Sequence, residues 1–213
     1  VSIVHRFREP VNGFTHLAGA ILAGIGLVWL MVVTHDNVAK LLSVMVYGVC
    51  MIVLYTASAT FHLTKASDAV LLWLKRVDHA AIYLMIAGTY TPFLYNVLDS
   101  NLRWWLLAVV WSLAAAGAVY KLLFLQHSGL VSLLYYVAMG CVGILVAPQA
   151  FRILPTGAII LILLGGVFYL VGAVIFGLER PNFHWHFGHH EIWHLLVLAG
   201  SLAHFAAILF YIV

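Results

Sequence analysis

Charge is what this sequence has least of: ten Lys and Arg and seven Asp and Glu make up 8% of 213 residues. A water-soluble domain carries about 25% charged residues, so the scarcity excludes an ordinary soluble globule. The net charge of only +3 leaves nothing from which to build a nucleic-acid-binding face. A disordered chain is excluded by the opposite excess, 65% hydrophobic residues. Cysteine is nearly absent as well. Cys50 and Cys141 both fall inside apolar runs, where two free core thiols are expected rather than a disulfide framework. No internal repeat is visible, and residues 1–13 are too polar for a cleavable signal, so the first apolar run is expected to insert itself. What remains is an integral membrane protein with almost no mass outside the bilayer.

Seven apolar runs are long enough to cross: 14–33, 41–62, 78–98, 103–124, 129–148, 156–177 and 190–213. Their apolarity is continuous and does not alternate, which predicts α-helices rather than barrel strands, because backbone groups in lipid must pair within the segment. The expected fold is therefore a single all-α domain, a seven-transmembrane-helix bundle. With the N-terminus cytoplasmic, the inner side collects Arg6, Arg8, Lys65, Lys75, Arg76, Lys121 and Arg180, and the outer side only Lys40, Arg103 and Arg152. That asymmetry predicts N-in and C-out. Trp104 and Trp105 then sit at the outer interface and Trp73 near the inner one, as anchoring aromatics do.

Ionisable groups at membrane depth are costly and mark candidate functional sites. In this topology the second run ends at His62, the third begins at Asp78-His79 and the seventh begins at His190-Glu191-Ile192-Trp193-His194, all at the cytoplasmic side. His190 and His194 stand at i and i+4, one helix face, and Ser58 shares a face with His62 in the same way. Three neutral imidazoles with one open position describe a catalytic Zn²⁺ site, with Asp78 as the general base that holds its water. Glu191 competes for that role within an H-E-x-x-H string, or else serves the helix start, where a carboxylate suits the dipole. His79 points about 100° away from Asp78 on a helix and is assigned to packing. His184, His186 and His189 form a loop cluster with His190; His16 is placed to help close the site, and His204 to bond a neighbouring helix. In Thr89-Tyr90-Thr91-Pro92 the hydroxyls are expected to absorb the carbonyls that Pro92 frees.

Four pieces in order, Glu9-Pro10-Val11-Asn12-Gly13-Phe14-Thr15-His16, Ser58-x-x-x-His62, Asp78-His79 followed by Ala87-Gly88-Thr89-Tyr90-Thr91-Pro92, and His190-x-x-x-His194, resemble the bacterial haemolysin III family. That family is a branch of the progestin and adipoQ receptor superfamily, and the resemblance covers essentially all seven runs. The superfamily is similar to the alkaline ceramidases in its Ser, Asp and three-His arrangement. The resemblance implies zinc on His62, His190 and His194, a water-holding role for Asp78 and a supporting role for Ser58. It also implies a bacterial inner-membrane location. It favours Asp78 over Glu191 as base, since the acidic residue at Glu191 is not fixed in the family pattern.

Three functions are then open. The first is a zinc-dependent hydrolase of a lipid ester or amide drawn from the inner leaflet, with Ser58 donating to the oxyanion. The second is a receptor or membrane-stress sensor in which zinc is structural. The third is a pore or lytic haemolysin, for which the sequence offers little: the charges bunch at one end and do not line a path across the membrane.

Overall fold

The computed structural model describes residues 7–98, 100–124, 129–184 and 187–213. Arg6 and His186 lie outside the described residues. Among the described residues the fold has seven helical rods: α1 (Pro10–Val33), α2 (Val38–Leu63), α3 (Asp68–Val97), α4 (Ser100–Phe124), α5 (Gly129–Ile153), α6 (Thr156–Leu178) and α7 (His189–Ile212). Among the described residues the only β pairing is an isolated bridge between His184 and Phe187. Within α5 the segment Cys141–Val146 tightens into a 3-10 helix ahead of Pro148, whose missing N–H cannot continue the α ladder. Cys141 lies on that segment and is exposed, not in the core as its apolar surroundings suggested; Cys50 is buried, and both thiols are free.

All of these rods except α3 are long and apolar enough to cross a membrane. Their outward faces carry large hydrophobic side chains fully in the open, such as Leu22, Leu145, Val174 and Leu202. In water, apolar exposure on that scale would be a continuous aggregation surface; lipid is the solvent it suits. The chain is an integral membrane protein.

The third helix departs from the expected bounds in an informative way. It begins at Asp68, three turns before the Asp78 start read from hydropathy. Lys75 and Arg76 interrupt the apolar run without interrupting the helix, because a helix tolerates charges on its side. Asp68 in the first turn complements the dipole, and the Arg76 guanidinium lies 4.9 Å from the Trp73 ring. Further along, Thr89 donates to the Met85 carbonyl at 2.8 Å and Thr91 to Ala87 at 2.9 Å, so neither hydroxyl takes the Gly88 carbonyl that Pro92 leaves free.

The position of α3 explains its composition. One hydrophobic core joins α1, α2, α3 and α7 through Leu30, Tyr47, Tyr55, Met85 and Ile208. A second joins α3, α4 and α5 through Tyr83, Ala87, Val110, Ala114 and Met139. The third helix contributes to both, so protein covers two of its faces and polar side chains there meet protein rather than lipid. The remaining helices pack in chain order, and α7 returns against α1. That closure brings the start of α1, the end of α2 and the start of α7 together.

Candidate metal centre

Each local structure at this end has a sequence cause. The first helix starts where Pro10 fixes φ at the first helical position, which leaves Glu9 just outside it. The Glu9 N–H donates to the His62 carbonyl at 2.9 Å, one of the orphan carbonyls at the end of α2. The seventh helix starts at His189 after the extended Gly188, and the Glu191 carboxylate reaches back to accept the Gly188 N–H at 2.7 Å. Its other oxygen accepts from Asn12 Nδ2 at 2.8 Å, tying α7 to α1. Both Glu191 oxygens are thus engaged in holding the helix ends.

These constraints bring His62, His190 and His194 together, with one nitrogen from each within 4.8 Å of the others. Nitrogens 2.0–2.1 Å from a shared tetrahedral ion lie about 3.4 Å apart, so side-chain rotations closing roughly an ångström complete a three-histidine shell. The fit of a metal can be judged from the hydrogen bonds. His62 Nδ1 donates to the Glu9 carboxylate, while His62 Nε2 is buried with no partner. His194 Nδ1 is likewise buried and unpartnered. An unpaired buried nitrogen costs about 1–3 kcal/mol; a cation between the rings removes that cost. A carboxylate on the far nitrogen of a ligating imidazole is the usual way such a ring is oriented and made more basic. The donor set fits a divalent transition metal.

Glu9 is a residue the sequence reading left without a role. Its signals were an acid directly ahead of a helix-starting proline and its place at the head of the first motif shared with the family. Burial raises the Glu9 carboxyl, but the His62 bond, the His62 charge and Arg8 outweigh it and hold it below the usual carboxylate range. Arg8 in turn pairs with Glu9 at 3.2 Å and lies 4.1 Å over the Phe61 ring. His16 stacks on His194 with ring centroids 3.7 Å apart and nearly parallel planes. Parallel rings cannot aim two lone pairs at one ion, so His16 braces His194 and is not a fourth ligand in this arrangement.

Asp78 and Ser58 are both buried beside this group, and the Ser58 hydroxyl bonds the Asp78 carboxylate. Beside His190 lies an open cleft of about 440 Å³ lined also by Glu9, Asn12, Asn182, His184 and Glu191. His189 turns away from the ligand group, its Nδ1 bonded to Asn182 Oδ1 at 2.8 Å. His204, deeper in α7, donates to the Ile162 carbonyl of α6 at 3.1 Å, the neighbouring-helix bond expected of it.

Comparison with known proteins assigns the sequence to a family. The chain is 38% identical over 207 residues to hemolysin-3 of Bacillus cereus, covering 96% of this chain and 92% of that protein. It is 36% identical over 211 residues to a hemolysin-3 homolog of Bacillus subtilis (strain 168), covering 97% and 95%. A more distant relative is the heptahelical transmembrane protein ADIPOR1 of rice, 31% identical over 179 residues, 73% of this chain and 46% of that one. The profile of the haemolysin-III related proteins matches residues 4–205, which takes in every residue of the histidine group, and the chain belongs to that family, with adiponectin-receptor-type proteins as its more distant relatives.

Proposed function

We propose that the chain crosses the bilayer seven times with its N-terminus in the cytoplasm, and that it is a zinc-dependent hydrolase of a lipid ester or amide taken from the inner leaflet. The carrying observation is the pair of buried, unpartnered nitrogens on His62 and His194 beside His190. Parity supports the seventh crossing: His62 ends α2 and His190 starts α7 at one end of the bundle, so an even number of crossings must intervene. The helices α3 to α6 supply four only if α3 spans. Its 30 residues extend about 45 Å at 1.5 Å per residue, ample for a core of about 30 Å. The surplus of Lys and Arg on the side of residues 6, 8, 65, 75, 76, 121 and 180 supports N-in.

His62, His190 and His194 would hold the zinc, and Glu9 would fix the His62 ring. Zinc in an open three-histidine site lowers the pKa of water to about 7 and polarises a carbonyl. Asp78 accepts a proton from the attacking water. Ser58 holds the Asp78 carboxylate in the resting arrangement; donating to an oxyanion requires it to exchange that partner for the substrate oxygen. The cleft reaches His190, one of the three ligand histidines, and gives water a route to it. Access of this kind favours turnover over a sealed, purely structural metal.

The test is metal analysis of the purified full chain together with hydrolysis of a fluorescent ceramide and a fluorescent acyl ester. Wild type is expected to carry about one zinc, and His62→Ala, His190→Ala and His194→Ala to lose it. Asp78→Asn is expected to keep zinc and lose hydrolysis. Unchanged zinc in all three histidine variants ends the metal reading; full hydrolysis by Asp78→Asn ends the assignment of the base.

A further inference from the structure

The three residues ahead of α1 lie against the end of α2, and each has its own fastening. Phe7 meets Phe14 of α1 edge to face, with ring centroids 5.0 Å apart. The Arg8 guanidinium covers the Phe61 ring of α2. Glu9 is fastened twice to one residue: its N–H donates to the His62 carbonyl at 2.9 Å, and its carboxylate accepts from His62 Nδ1. The helix that follows is held by other means. Gly13 packs so closely that a Cβ there would meet the Leu63 side chain at 2.3 Å, and Asn12 bonds Glu191 of α7. Residues 7–9 are therefore free to leave the end of α2 while α1 stays in place. Glu9 also lines the cleft beside His190, with its side chain 42% exposed, so water competes for its bonds.

The aromatic pair and the cation–π contact are each worth about two- to tenfold in an equilibrium. The carboxylate bond is the strong one, and it ends on a ring of the histidine group. His62 holds this bond only while its proton sits on Nδ1, and what meets Nε2 decides that. Ligating through Nε2, the ring carries its proton on Nδ1, facing Glu9. Not ligating, it keeps a buried Nε2 without a partner and gains by turning toward water, which undoes the Glu9 bond. We propose that residues 7–9 form a strap whose docking on α2 is coupled to metal occupancy, so that the chain ahead of α1 registers whether the histidine group is filled. The coupling is reciprocal. A partner that strengthens metal binding 10–100-fold is itself held 10–100-fold more firmly when the metal is bound. The strap rests on the proposed metal and on no part of the proposed hydrolysis.

The experiment is hydrogen–deuterium exchange of the full chain in lipid nanodiscs, zinc-loaded or stripped with EDTA, with metal analysis of the same samples. The Glu9 amide is read at times too short for the amides around Ser201 to exchange in either sample. Stripping is expected to speed exchange at Glu9 at least tenfold in wild type and less than threefold in Glu9→Gln. Reciprocity is read in the other direction by competition with a calibrated chelator. Phe7→Ala, which removes a ring whose partner is Phe14 and not a ligand, is expected to weaken zinc binding two- to fivefold, and Arg8→Ala to do the same. Wild type that binds zinc but exchanges at Glu9 equally with and without it overturns the strap and leaves the metal in place. Unchanged zinc affinity in both Phe7→Ala and Arg8→Ala overturns it as well. Wild type without zinc ends the metal reading first and the strap with it.

Discussion

Two polar clusters share α7, two turns apart, and they are built on opposite principles. Around Ser201 in mid-bundle, polarity closes on itself. Tyr55 donates to Ser201 Oγ at 2.6 Å, Tyr169 shares the same oxygen at 2.9 Å, and Tyr47 reaches the Ser201 carbonyl at 3.5 Å. Around His194, at the helix end, polarity is left open: nitrogens of His16, His62 and His194 are buried and unpartnered. His16 joins the two, stacked on His194 and edge-on to Tyr55 at 5.1 Å. In lipid a satisfied network is a clamp between helices. An unsatisfied one is stable only with something bound, and that difference separates a packing device from a site.

The sharpest way to break the comparison is to take the metal away. A ligand at about a thousandfold its Kd contributes about 4 kcal/mol of stability, so chelation should lower the melting temperature of wild type by several degrees. His194→Ala should melt low with or without chelator, and Ser201→Ala should respond to chelator as wild type does. Thermal melts with and without EDTA decide it. Equal chelator responses in wild type and His194→Ala would mean that the open nitrogens bind nothing.

The next effect in size concerns Glu9. Partners that orient a ligating histidine are worth 10–100-fold in metal affinity, so Glu9→Gln should weaken zinc binding by that factor, measured by competition with a calibrated chelator. Breaking the closed cluster is smaller and of another kind. Ser201→Ala removes a hydroxyl shared by the buried Tyr55 and the half-buried Tyr169 and should cost about 1–3 kcal/mol, with zinc content unchanged.

The features legible in the sequence were those carried by length and periodicity. Continuous apolar runs marked seven helices, six of them long and apolar enough to span by composition, and the crossing order alone brought His62, His190 and His194 to one end. Features that depend on what lies across a helix were not legible. The true start of α3 was hidden because Lys75 and Arg76 end an apolar run but not a helix. The exposure of Cys141 was hidden because an apolar neighbourhood in sequence is as often lipid-facing as core. Glu9 reads as a polar residue before the first helix; only its bond to His62, 53 positions away, gives it a task. Lys121 counted simply as one positive charge at the inner side, and only its burial distinguishes it from the other lysines.

The smallest predicted effect tests the division within the site itself. Glu191 lies beside a ligand-group histidine in an H-E-x-x-H string, yet its carboxylate caps α7 and bonds Asn12 on α1. A residue so engaged acts as a clamp of the closed kind, whereas Asp78, buried against Ser58, belongs to the open kind. Glu191→Gln keeps an acceptor for the Gly188 N–H and meets Asn12 through its NH2, to which a turned-over Asn12 amide presents Oδ1; what it then loses is the charge that complements the helix dipole, worth about 0.3–1 kcal/mol. It should therefore lower the melting temperature slightly, leave zinc content alone and leave most hydrolysis intact, where Asp78→Asn removes it. If Glu191→Gln abolishes turnover with zinc still bound while Asp78→Asn does not, the proton acceptor is on α7 and the roles of the two carboxylates are exchanged.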